Sequence, residues 1–114
     1  MKKTIVAIKK MHLKQLIKEE IKHYGHNCDL NHIDVTNIED MSYIFYETEF
    51  NGDISQWNTS KVAIMWGMFQ NSIFNGDISQ WNEKIRTNSN SCNLIHIKTF
   101  NMVDILELFG GNMQ

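Results

Sequence analysis

The sequence predicts an α/β fold: a small solenoid of strand–turn–short-helix repeats, each of about 24 residues. Three observations predict it. The phrase Phe50-Asn51-Gly52-Asp53-Ile54-Ser55-Gln56-Trp57-Asn58 returns letter for letter as Phe74–Asn82. The apolar frame of that unit is also present one period earlier, where Leu30 answers Ile54, Ile33 answers Trp57 and Asp29 answers Asp53. Finally, Ile38, Met41, Ile44, Phe45 and Phe50 answer Val62, Met65, Met68, Phe69 and Phe74, while most polar positions differ. A fixed period in the range of about 20 to 50 residues marks architectures whose units bury their apolar sides against one another.

Taken in order, Thr4–Ile8 is short and β-branched and reads as a strand. From His12 to Tyr24, Leu13, Leu16, Ile17, Ile21 and Tyr24 fall at helical spacing on one face. Lys10, Lys14, Lys18 and Lys22 form a second stripe, and Gly25 is placed to end the helix in a left-handed conformation. Residues 1–27 are therefore expected to cap the repeats.

Residues 28–82 form the repeat body. The Asp-Ile-Ser-Gln-Trp half of each unit reads as extended and follows an Asn-Gly turn. Its Ile and Trp are three apart, so strict alternation cannot bury both, and a bend is expected between them. The second half reads as a short helix, with Thr36 and Glu39 as a capping box and Val62, Met65 and Phe69 sharing a face. The expected core is Leu30, Ile33, Phe45, Phe50, Ile54, Trp57, Met65, Phe69, Phe74, Ile78 and Trp81. Residues 83–114 read as an irregular segment followed by a divergent last unit, because Cys92–Lys98 repeats the frame of Cys28–Asp34.

Composition narrows the class. One domain is expected from 114 residues, and 42% hydrophobic content points to a folded chain. The apolar run Ile5–Ile8 is shorter than the roughly 7–15 residues of a secretory core. No run approaches the roughly 20 apolar residues of a membrane helix. Two cysteines without an export signal suggest reduced thiols and a cytoplasmic location. Cys28 and Cys92 fall in units expected three rungs apart, or roughly 14 Å at about 4.8 Å per strand, too far for a disulfide. Charge is uneven: residues 1–26 carry +5, residues 27–82 carry −7, and the remainder is neutral.

The phrase F-N-G-D-I-S-x-W-N, followed by Thr59-Ser60-Lys61-Val62 and the Met65–Phe69 segment, resembles the BspA-type leucine-rich-repeat surface proteins of bacteria. The resemblance covers residues 28–82 closely and 92–109 loosely. It implies a right-handed, leucine-rich-repeat-like solenoid and a protein-binding role without catalytic residues. Relatives of that type are often exported or lipid-anchored, whereas neither a signal peptide nor a lipobox cysteine is expected from residues 1–27.

Every candidate site has a plainer alternative. His23, His26 and Cys28 could ligate a metal, but zinc needs a fourth ligand and a polar turn explains them as well. Asn51-Gly52-Asp53 and Asn75-Gly76-Asp77 could hold calcium, although calcium-binding repeats are much shorter and a structural turn accounts for both. Trp57 and Trp81 could stack on a sugar or base, but recurrence in register favours burial. Ser55, Gln56, Ser79 and Gln80 suggest an exposed polar ladder. The lysine stripe lacks interleaved Arg or aromatic residues, so a solvated face is preferred to nucleic-acid or membrane binding.

No cofactor, metal or catalytic constellation is expected, and the reading is a non-enzymatic protein-binding module. The alternative is a small inhibitor carried by a mobile element, whose acidic body mimics nucleic acid and blocks a basic protein. In either case Asp29, Asp34, Glu39, Asp40, Glu47, Glu49, Asp53 and Asp77 would face the partner.

Overall fold

The computed structural model describes residues 2–87. The element order is β1 (Ile5–Val6), α1 (Lys10–Tyr24), β2 (Ile33–Asp34) and α2 (Glu83–Thr87). Strands β1 and β2 form a two-stranded parallel sheet, with Ile5 opposite Ile33 and Val6 opposite Asp34. Parallel pairing needs a crossover, and α1 is on that crossover.

This arrangement corrects the expected strand–turn–helix solenoid and, with it, the leucine-rich-repeat-like architecture. The described residues form a small globule with two helices and two two-residue strands. Neither copy of the repeated phrase contains a strand, and no helix follows the first copy within 59–71 or precedes it within 35–49. The expected capping box is absent as well. Thr36 donates from its backbone N–H and its hydroxyl to Asp34 Oδ1, while the Glu39 carbonyl accepts from Ala63 and Ile64.

The backbone shows why helix does not propagate there. Tyr43 and Glu47 have φ of 58° and 53°, and Gly67 and Asn71, one period on, have 55° and 56°. A left-handed residue at every fourth position stops a right-handed helix. The freed N–H groups turn sideways: Tyr43, Phe45 and Glu47 donate to the carbonyls of Trp66, Met68 and Gln70 at 2.9 Å each. Isolated bridges join Asp29 to Asp53 and Asp40 to Ile64. These contacts set one copy beside the other without building a continuous sheet.

Between the bridges the chain runs in hydrogen-bonded turns. The N–H groups of Ile33, Ile38, Trp57, Val62 and Trp81 donate to the carbonyl three residues back. Such a turn points its first and last side chains inward and its two middle residues outward, which resolves the spacing of Ile54 and Trp57. Asp or Asn opens many of them: Asp29, Asp34, Asp40, Asp53, Asn58, Asp77 and Asn82 each accept the N–H two residues on. A side-chain oxygen that takes this donor offers the backbone an alternative to helix or ladder pairing.

The core is aromatic. Phe45 stacks on Phe69, Phe50 on Phe74 and Trp57 on Trp81, with interplanar angles of 6°, 6° and 7°. Every residue expected in the core, from Leu30 to Trp81, is buried. Each tryptophan also has a polar anchor: the indole N–H of Trp57 donates to the Leu30 carbonyl, and that of Trp81 to the Ile54 carbonyl, both at 2.9 Å. Buried and anchored in this way, neither indole offers a free face to a sugar or base.

Helix α1 buries Leu13 and Ile17 in the same core, with Leu16 and Ile21 partly covered. Tyr24, expected on that stripe, is exposed, and the Lys2 ammonium lies 4.1 Å from its ring centre. The Ile8 N–H donates to Nδ1 of His12 at the start of the helix. At the other end Gly25 has φ 88° and ψ 174°, a positive-φ glycine with extended ψ rather than the expected left-handed cap. The Glu20 carboxylate lies 3.0 Å from His32 Nε2 and 3.4 Å from Lys2 Nζ, tying α1 to both strands' surroundings.

The segment after residue 82 begins as a helix rather than irregularly. Asn82 accepts the Lys84 N–H through its side chain, and Ile85 is fully buried. The expectations for a divergent last unit at 92–109 and for Cys92 lie outside the described residues. Cys28 is a free, buried cysteine, and burial pushes its thiol pKa up.

Candidate functional site

A wide concavity lies between α1 and segment 43–49, with a volume of about 1240 Å³. Its size and open form exceed the roughly 300–1,000 Å³ usual for a small-molecule pocket. Met11, Ile17, Ile21, Tyr43, Ile44 and Tyr46 supply its apolar lining. Met11, Tyr43 and Tyr46 are exposed, and the two tyrosines meet edge to face with ring centres 5.6 Å apart.

The α1 wall follows from helical geometry. Lys14, Lys18 and Lys22 recur every four residues and line one rim. At a rise of about 1.5 Å per residue they span roughly 12 Å along the axis. Lys10, the fourth lysine of the stripe, is engaged elsewhere: its ammonium lies 3.2 Å from Asp40 Oδ2 and donates to Ser42 Oγ at 2.9 Å. Glu47 and Glu49 line the facing wall, and His26 Nε2 lies 3.6 Å from Glu49. Hydrogen bonding to Glu47 and its negative charge raise the Tyr46 phenol pKa, so the ring stays neutral at physiological pH. Glu19 also lines the α1 wall, where Gln15 donates to it at 3.4 Å, so that wall is mainly but not wholly cationic, the lining between the walls is largely apolar and the facing wall is acidic.

Backbone strain concentrates on this second wall. Gly67 and Asn71 occupy the left-handed positions in the later copy, and these two residue types tolerate that conformation. The earlier copy places Tyr43 and Glu47 there, which a local preference would not choose. A non-glycine residue in this region costs of order 1–3 kcal/mol, and such residues cluster at binding and switch sites. Tyr43 has a packing role too. Its ring covers Gly67 so closely that a Cβ at that position would collide with it.

The acidic residues expected to face a partner divide into two sets. Asp29, Asp34, Asp40, Asp53 and Asp77 accept backbone N–H groups in turns. The hydroxyl and N–H of Thr36 lower the pKa of Asp34. For Asp40, burial acts upward, but Ser42 and Lys10 outweigh it and the net shift is down. The Ser55 hydroxyl, then Asn31, lower Asp53, and the N–H and hydroxyl of Ser79 lower Asp77. Of the remaining three, Glu39 is exposed away from the groove lining, and Glu47 and Glu49 belong to it.

The expected polar ladder is partly used up as well, since Ser55 Oγ donates to Asp53 Oδ1 and Ser79 N–H to Asp77, while Gln56 and Gln80 are exposed. His23 is exposed, His26 faces Glu49 and Cys28 is buried. Among the described residues, no group of three or more His, Cys, Asp or Glu side chains is arranged to hold a metal ion. No helix among them is long and apolar enough to cross a membrane.

Sequence reasoning saw the lysine stripe but passed over Tyr43 and Tyr46. The signal was available in the alignment of the two copies, where Tyr43 stands opposite Gly67 and Glu47 opposite Asn71.

Neither a curated protein nor a solved structure matches the chain. A family model described as "Mycoplasma protein of unknown function, DUF285" matches residues 11–107, and the chain belongs to that family.

Proposed function

We propose that the chain is a non-enzymatic protein-binding module of the cytoplasm. The observation that carries this reading is the exposed apolar surface on neighbouring segments. Tyr43 and Tyr46 are exposed on one, Ile64 and Trp66 on the other, and the Tyr43 N–H donates to the Trp66 carbonyl. Scattered exposed apolar residues are ordinary, but large side chains gathered beside a groove mark interaction surfaces. The family match is to proteins of unknown function and the BspA-type resemblance rests on the repeated phrase, so the surface is the main support.

Charge mimicry has less support. Five of the eight carboxylates invoked for it are bonded to their own turns, which fixes them for local geometry rather than as an array copying phosphates. Affinity capture from the native host at rising salt separates the two. Apolar docking predicts a partner retained from about 0.05 to 0.5 M salt and lost with Tyr46→Glu, while charge mimicry predicts steep loss with salt. Absence of any protein retained specifically by the wild-type chain sinks both readings. Cell fractionation tests the location: recovery in the membrane or surface fraction would overturn the cytoplasmic assignment.

A further inference from the structure

We propose that the groove between α1 and segment 43–49 receives an amphipathic helical segment of a partner protein. That segment carries carboxylates along one edge, facing Lys14, Lys18 and Lys22, and a basic residue along the other, facing Glu47 and Glu49. The inference rests on the protein-binding reading and adds the place and the chemistry of the partner.

Three features of the groove select this occupant. Its lining is apolar along the floor, with Met11, Tyr43 and Tyr46 open to solvent, which suits the apolar stripe of a helix. Its cationic rim repeats every four residues, the spacing at which a docked helix presents successive carboxylates. Among the described residues, Lys14, Lys18 and Lys22 form no ion pair, whereas Lys2 and Lys10 each have one. Those three charges are therefore open to a partner.

The carboxylates of Glu47 and Glu49 disfavour two competing occupants. A nucleic-acid strand or an anionic membrane would be drawn to the lysines but repelled by Glu47 and Glu49 on the facing wall. A helix with oppositely charged edges satisfies both walls. The strain at Tyr43 and Glu47 fits the same picture, because both side chains line the groove and both stand where the other copy has a residue that relieves the backbone.

The test uses the full chain and two fluorescein-labelled 14-residue helical peptides, read by fluorescence anisotropy. Both peptides carry leucine at helical spacing. One has a glutamate edge and a lysine edge, and the other has lysine on both edges. The two-signed peptide should bind at least tenfold more tightly than the all-basic one. The double variant Lys14→Glu/Lys18→Glu, whose changes are solvent-exposed, should reverse that order while melting like wild type. Glu47→Asn, which copies the residue at position 71, should weaken the two-signed peptide without loss of thermal stability. Equal affinity for the two peptides, binding of neither, or an order unchanged by the double variant would overturn the proposal. Host proteins captured equally by wild type and double variant would leave the protein-binding reading standing and remove the groove from it. Self-association abolished by the double variant would assign the groove to a second copy of this chain and refute a separate partner.

Discussion

A single oxygen recurs through the molecule. In Asp53, Oδ1 accepts both the N–H and the hydroxyl of Ser55, at 2.9 and 2.7 Å. Asn58 and Asn82 make the backbone part of the same turn with a neutral amide oxygen. A neutral acceptor thus suffices to form the turn, and the charge of Asp53 adds a smaller share on top of it. Asp53→Ala should destabilise by about 1 kcal/mol, the usual net worth of a hydrogen bond, while Asp53→Asn should stay within about half of that. Urea melts of the two variants check the difference, and equal losses would show that the charge matters most. Gly52 is constrained in another way. A Cβ there would run into the Cys28 carbonyl oxygen, a backbone atom that accepts the Asp53 N–H. Gly52→Ala should therefore cost roughly 3 kcal/mol or more, at or above the usual range for overpacking. Trp57 contributes area and a bond. Trp57→Ala should cost about 3–5 kcal/mol. Trp57→Phe should cost about 1–2 kcal/mol, because the Leu30 carbonyl keeps the Ile33 N–H after losing the indole. A denaturant melt showing less than about 1 kcal/mol for the alanine variant would contradict the stacked core.

At the scale of elements, burial and charge make unequal contributions to holding α1. Leu13 is fully buried, whereas the Lys10–Asp40 pair is about one-third exposed on both sides. Leu13→Ala should cost about 2–5 kcal/mol and Lys10→Ala less than about 1 kcal/mol. Thermal melts rank the two, and a larger loss from Lys10→Ala would mean that the polar link to Asp40 and Ser42 positions the helix. Segment 42–47 shows the limit of periodicity. Met41, Ile44 and Phe45 have helical spacing, and all three are buried, yet the segment is a run of turns. Apolar residues three apart satisfy a turn as well as a helix, and the left-handed backbone at Tyr43 and Glu47 selects the turn. The strain there is testable directly. Glu47→Asn should raise stability by a few tenths to about 1 kcal/mol, because asparagine tolerates that conformation. A lower melting temperature would show that Glu47 is held by contacts stronger than its backbone cost.

The whole molecule should be sensitive to acid. Asp34, Asp40, Asp53 and Asp77 all have pKa values below the ordinary 3.8 in the folded chain. A depressed folded value means that the unfolded chain binds protons first as pH falls. The stability these groups supply is complete well above pH 3.8 and is lost as pH drops through the depressed values. The melting temperature should be flat near neutrality and fall below about pH 4. Replacing all four with Asn should flatten that fall. A decline of equal steepness in the fourfold variant would place the acid sensitivity elsewhere.

By itself the sequence determined which residues are inside. The repeated phrase and the apolar frame common to both copies identify the core from Leu30 to Trp81, because side chains that bury against their own counterparts must recur in register. It also determined α1, whose apolar stripe adjoins the lysine stripe. The tertiary structure alone decided what backbone carries that core. Helix, strand and turn can all place two apolar groups three residues apart, and the choice fell to hydrogen bonds between distant segments, such as Phe45 to Met68 and Leu30 to Asp53. It also decided the groove, since nothing local brings Lys14, Lys18 and Lys22 opposite Glu47 and Glu49. That meeting follows from Leu13 and Ile17 entering the common core, which sets α1 beside segment 43–49.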